Sequence, residues 1–323
     1  MADAATGSAP RESEAALRAL LERIMAEAKP AAADGAVASY IPALARVPAE
    51  RFGVAISFAD GLEIALGDAD EPFSIQSCSK IFTLAFALER IGAPLWRRVG
   101  REPSGMSFNS LILLEREGGV PRNPLINAGA IVTTDALLAL EGDWADQALG
   151  RMRRLGGAES IVVDEEVYAS EETHGDLNRA IAWFLKAKGN LLRPPDAALR
   201  AYFRACATAM SCRQLARAAR FLIGAPLSAE TGAAADPVCG AEHSRRIRAV
   251  MRTCGLYDAA GDFAYRVGLP AKSGVGGGLI AVSPGRYSVC VWSPALDAKG
   301  NSAAGQRALE LLVDALEPSD RHV

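Results

Sequence analysis

Ser77 and Lys80 stand three residues apart in FSIQSCSKIFTLAFAL, residues 73–88. The run that follows, with Ile81, Leu84, Phe86 and Leu88, is too apolar for a surface helix and predicts a buried one. A serine at the start of such a helix and a lysine one turn on share a face. The field of the helix N-terminus and desolvation both disfavour an ammonium, so a buried Lys80 is expected to be neutral at working pH. A neutral amine beside a hydroxyl is a base beside a nucleophile. Taken alone, S-x-x-K more often marks a serine N-cap followed by a snorkelling lysine, and the rest of the chain has to decide.

Other residue types narrow the chemistry. The histidines are His174, His243 and His322, with no H-x-E, H-E-x-x-H or paired His/Cys spacing, so neither a catalytic metal nor a cofactor is expected. Neither His174 nor His243 has a G-x-S-x-G partner, which argues against an α/β-hydrolase triad. Serine chemistry here would take lysine or tyrosine as its base. A net charge of −3 with scattered basic residues gives no nucleic-acid surface. No window approaches the ~18 apolar residues of a membrane span. The six cysteines form no C-x-x-C pair and read as free thiols of a cytosolic protein. The opening MADAATGSAPRESEAALRAL has no basic region followed by an apolar one, so a cytoplasmic site of action is expected.

The elements that position these residues follow from periodicity and turn chemistry. Residues 1–11 read as a disordered leader. A helix from about Glu12 to Ala28 carries Leu17, Leu20, Leu21 and Ile24 and ends at Pro30. VAISF (54–58) and LEIAL (62–66) flank Ala59-Asp60-Gly61 as a hairpin, and LIAVS (279–283) and YSVCVWS (287–293) flank Pro284-Gly285-Arg286 as a second. A helix from Ala303 to Leu316 closes the pattern. The expectation is an α+β fold, an antiparallel sheet covered by terminal helices beside a mostly helical lobe. Residues 12–318 form one domain of two lobes, an α/β part at about 12–76 and 260–318 and a helical part at about 77–259.

Several polar residues sit where a site or a structural role would suit them. Tyr40 lies in an irregular segment and reads as a packed loop aromatic. Asn127, just before a helix, is an even match for an N-cap. Thr173 and Asp176 have the spacing of a capping box, with Glu171 just outside that helix and Asn178 in its first turn. Tyr202 falls on a helix begun by Pro194-Pro195-Asp196 and reads as core. Tyr257 follows a glycine turn. Lys272-Ser273-Gly274 leads through Val275 into a glycine-rich strand entrance, where the backbone can approach a ligand closely.

S-x-x-K with a later K-S-G resembles the serine β-lactamases and penicillin-binding proteins, whose third box is K-T-G, although their S-D-N box is absent. A closer resemblance comes from YIPALA, FSIQSCSK, EPSG, NPLINAGAI, SEETHGDLN, CGLYD and GLPAKSGVGGG, in that order over roughly residues 35–305. Together they look like the serine-dependent glutaminases of bacterial type, which share the β-lactamase-like fold. The resemblance implies hydrolysis of L-glutamine to L-glutamate and ammonia, with Ser77 as nucleophile, Lys80 as its base and Tyr257 close to both. It implies Asn127, Glu171, Asn178 and Tyr202 on the amino-acid head group, and Tyr40 and Gln76 lining the pocket. The backbone N–H groups of Ser77 and Val275 would form the oxyanion hole, and a homo-oligomer, dimer or tetramer, is implied. The rival enzyme is a β-lactamase or D,D-peptidase, opposed by the missing S-D-N box and export signal. A rival of another class is a non-catalytic amino-acid-binding or sensor protein on the same fold.

Overall fold

The computed structural model describes residues 13–105, 111–140, 142–224 and 238–317. The expected leader therefore lies outside the described residues. Helix α1, Glu14–Ala28, starts where Ser13 accepts a hydrogen bond from Ala16 N. It buries Leu17, Leu21, Ile24 and Ala28, one stripe at helical spacing. Strands β1 (Gly53–Phe58) and β2 (Glu63–Gly67) make the first hairpin, with Val54 opposite Leu66 and Ser57 opposite Glu63. Asp60 Oδ1 accepts from Leu62 N at 3.0 Å and Gly61 takes φ 96°, so the Asp-Gly turn forms for the reasons its residues suggest.

The short strand β3, Phe73–Ser74, leads into the site and then into helix α2, Ser79–Arg90, buried on every side from Ser79 to Leu88. There follow α3 (Leu111–Arg116), α4 (Asn127–Leu140), α5 (Trp144–Gly156), β4 (Val162–Val163), α6 (Glu165–His174), α7 (Asp176–Ala187) and α8 (Pro195–Cys206). Strand β5, Thr208–Met210, pairs with β3 and β4 in a small sheet, and α9 (Cys212–Ala218), α10 (Ala241–Cys254) and α11 (Ala260–Arg266) complete the helical region. Strands β6 (Ala271–Ser273), β7 (Gly278–Ser283) and β8 (Tyr287–Trp292) and helix α12 (Ala303–Leu316) close the chain.

The main sheet runs β2-β1-β8-β7-β6, all antiparallel, so β1 and β8 join the two hairpins across most of the chain. Alternation along its strands separates two cores. Val54, Ile56, Leu279, Ala281, Val289 and Val291 face α1 and α12, meeting Leu21, Leu309 and Leu312. Ala55, Ile280, Val282, Cys290 and Trp292 face the other way, into the core around α2, α4, α8 and α9. Both faces of the central strands are therefore covered, which is why β7 and β8 are apolar nearly throughout. Among the described residues, no helix is long and apolar enough to cross a membrane.

Two capping expectations fail. Thr173 and Asp176 form no capping box: Thr173 Oγ1 donates to Ala169 O within α6, and the α6–α7 boundary falls at Gly175 instead. Glu171 lies outside α7, as expected, but within α6, which Asp164 starts by accepting from the Glu166 and Val167 N–H groups. Asn127 is not an N-cap either. Asn123 Oδ1 accepts from Leu125 N at 3.0 Å and Ile126 N at 3.1 Å, which frees the Asn127 side chain.

Candidate active site

Ile75 N donates to Thr208 O at 2.9 Å, anchoring the chain on β5 just before it turns. Gln76 then takes φ 48°, a left-handed conformation that costs a non-glycine residue of order 1–3 kcal/mol. Residues Gln76–Cys78 form a single 3-10 turn that feeds α2, so Ser77 sits one residue farther from the α-helix than the spacing suggests. Side chains on a helix lean toward its N-terminus. Lys80 accordingly reaches back, its Nζ 2.9 Å from Ser77 Oγ and 2.6 Å from Asn127 Oδ1. Asn127 Nδ2 in turn donates to Asn178 Oδ1 at 2.9 Å. Lys80 is buried and does not snorkel.

Electrostatics follow from that burial. Desolvation lowers the Lys80 pKa from 10.5 to about 8, against the opposing pull of Cys206, Glu171 and Cys78. The drop corresponds to roughly 3 kcal/mol in favour of the neutral amine. Burial likewise raises Glu171 to about 7, while a hydrogen bond with Gln76 and the charge of Lys80 act the other way. Tyr257 is pushed above its ordinary range by burial, with a hydrogen bond from Ser77 opposing. Its backbone is also left-handed, φ 56°, and its hydroxyl donates to Ser273 O at 3.4 Å. The two non-glycine residues with positive φ among those described, Gln76 and Tyr257, thus both belong to this site.

In front of Ser77 lies a cleft of about 550 Å³. Tyr40, Gln76, Ser77, Asn127, Glu171, Asn178, Tyr202 and Val275 all line it, while Lys80 and Tyr257 stand behind the serine. Ile41, His174, Gly175 and Leu177 line it as well. Nothing in their types marks them; adjacency to Tyr40, Glu171 and Asn178 was their one signal. Tyr40 is 56 % exposed, at the rim rather than packed as a loop aromatic. Its segment is tied to α6 by Ala43 N donating to Ser170 Oγ, and Ile41, Leu44, Val167 and Val275 share one small apolar cluster. Gln76 Nε2 donates to Ser74 Oγ, which donates to Cys206 O at 2.8 Å, fixing the turn against α8.

The glycines after Lys272 are there for close approach. A Cβ on Gly274 would lie 2.7 Å from Ile75 O and 3.3 Å from Ser77 N, and one on Gly276 2.3 Å from Ser74 O. The loop carrying Val275 is thereby pressed against the serine turn, and Trp292 Nε1 holds it from behind by donating to Gly276 O at 2.9 Å.

An antiparallel sheet covered on one face by the terminal helices and on the other by a helical region, with a buried serine–lysine pair at the head of a core helix and a Lys-Ser-Gly strand beside it, defines a β-lactamase-like fold. The family model described as Glutaminase matches residues 35–319. The chain belongs to the glutaminase family. It is 53 % identical over 301 residues to a glutaminase of Methylorubrum extorquens, covering 92 % of this chain and 96 % of that one. It is 56 % identical over 282 residues to one of Rhodopseudomonas palustris, covering 86 % and 89 %. Among solved structures, the probable glutaminase ybaS superposes with a TM-score of 0.83 at 38 % identity, covering 92 % of this chain and 97 % of that one. A Bacillus subtilis probable glutaminase gives 0.83 at 30 %, covering 94 % and 97 %. The resemblance read from the motifs and the expected fold are both borne out.

Proposed function

We propose that this glutaminase hydrolyses L-glutamine through a γ-glutamyl ester on Ser77, with Lys80 as the base. The observation that carries this reading is the buried Lys80 Nζ at 2.9 Å from Ser77 Oγ. A neutral lysine has two N–H donors and one lone pair. One N–H is engaged by Asn127 Oδ1, which orients the amine so that its lone pair is available to the serine proton. Lys80 takes that proton as Ser77 Oγ bonds to the γ-carbonyl carbon, and the oxyanion is held by the Ser77 and Val275 N–H groups. The proton passes to the amide nitrogen, the C–N bond breaks and ammonia leaves. Water then attacks the ester, giving its proton back through the same pair, and glutamate departs from a restored Ser77. Tyr257, in contact with Ser77, shares in these transfers.

The head group is read the same way. The ionised Glu171 binds the substrate ammonium, and Asn127, Asn178 and Tyr202 supply neutral donors for its carboxylate, with Tyr40 and Gln76 shaping the pocket. The six cysteines are free and buried, which supports a reducing, cytoplasmic setting. A homo-oligomer belongs to the same reading. Residues 12–318 act as one domain of two lobes, with the cleft where they meet. The test is ammonia release by Ser77→Ala and Lys80→Arg. Both should lose most of kcat with the circular dichroism of the parent, since arginine keeps the charge but cannot deprotonate. An arginine variant with near-parental kcat would overturn the assignment.

A further inference from the structure

A second buried lysine lies at the site, and the chemistry above leaves it without a task. Lys272, in the middle of β6, is 0 % exposed. Burial is the largest influence on it and the charge of Lys80 the next, and both disfavour its ammonium form. Keeping an amine in such a place costs free energy that an apolar side chain of similar volume would not. What it touches is specific. Its Nζ donates to Ser273 O at 2.5 Å and lies 4.3 Å from the centroid of the Tyr257 ring.

The Ser273 carbonyl is also the acceptor for the Tyr257 hydroxyl, at the longer distance of 3.4 Å. Two donors therefore share one oxygen, as its two lone pairs allow, the lysine at the shorter distance. Tyr257 has a second partner in Ser77. Its left-handed backbone is a strained conformation that persists only where the surroundings hold it. Lys272 against the ring is part of those surroundings.

We propose that Lys272 is a positioning residue for Tyr257: by sharing the Ser273 carbonyl with the tyrosine hydroxyl and lying against the ring face, it holds that hydroxyl between the β6 backbone and Ser77 Oγ. This rests on the reading that Tyr257 exchanges the Ser77 proton. Lys272 does not line the cleft, so it acts on turnover and not on glutamine binding.

The experiment is a double-mutant cycle in steady-state ammonia release from glutamine, with Lys272→Met, Tyr257→Phe and the double variant. Lys272→Met should lower kcat by about 10- to 100-fold with KM within about twofold, the pattern of an interaction that matters only in turnover. In the Tyr257→Phe background the same substitution should cost less than about twofold, because its target is gone. If Lys272→Met does not fold, Lys272→Gln, which replaces the amine by a shorter donor, enters the cycle in its place. Losses that multiply in the double variant overturn the proposal, as do parental kcat without Lys272 or an effect confined to KM. Parental kcat in Tyr257→Phe alone would instead remove the reading of Tyr257 on which the proposal stands.

Discussion

Raising the pH is the simplest perturbation of this site, because two of its groups must both be deprotonated for the proposed reaction. Lys80 is a base only as the neutral amine, and burial brings its pKa down to about 8. Glu171 holds the substrate ammonium only as a carboxylate, and burial brings its pKa up to about 7. Both signs therefore point the same way: protonation of either group on the free enzyme lowers kcat/KM, and activity grows as pH rises. Multiplying the neutral fraction of Lys80 by the ionised fraction of Glu171 gives a rise of about 50-fold from pH 6 to 7, about tenfold from 7 to 8 and about twofold from 8 to 9. The assay is initial-rate ammonia release at glutamine well below KM, in buffers of constant ionic strength. Glu171→Gln should flatten the acid limb to about tenfold per pH unit, leaving the slope due to Lys80 alone. A profile flat between pH 6 and 9, or one unchanged in slope by Glu171→Gln, would refute the reasoning.

At fixed pH, Glu171→Gln should weaken glutamine binding by about 1.5–3 kcal/mol, the worth of a charge-assisted hydrogen bond. Calorimetry showing parental affinity with a lowered Tm would make Glu171 a structural residue of α6. Gly274→Ala places a Cβ 2.7 Å from Ile75 O and 3.3 Å from Ser77 N, so the serine turn has to move. Its kcat/KM should fall by about tenfold or more with circular dichroism unchanged, and parental activity would show that the Val275 loop need not press on Ser77.

Much of this architecture is legible in local pattern. Asp60-Gly61 and Pro284-Gly285 announce the hairpins, and the apolar stripes of α1 and α12 announce a covered sheet. Ser77 and Lys80 are legible because one helical turn joins them. The rest depends on contacts between distant residues. That Asn127 turns to Lys80 and not to its own helix follows from Asn123 taking the cap, and both asparagines look equally suited to it in sequence. Thr173 and Asp176 match a capping box by spacing, but Asp164 begins the helix earlier and Gly175 breaks it. The strands β3, β4 and β5 are two or three residues long, too short for any period to show. Lys272 stands in a recognisable K-S-G, yet its contact with the Tyr257 ring crosses from β6 to the turn after α10, and no spacing encodes it.

The central claim is that a serine, and this serine, carries the γ-glutamyl group. An electrophilic glutamine analogue bearing a diazoketone in place of the side-chain carboxamide, followed by proteolysis and peptide mass mapping, tests it most directly. A single adduct on Ser77 is expected, formed faster at pH 8 than at pH 6 and absent from Ser77→Ala. An adduct on Ser79, or on any of the six buried cysteines in place of Ser77, would contradict it.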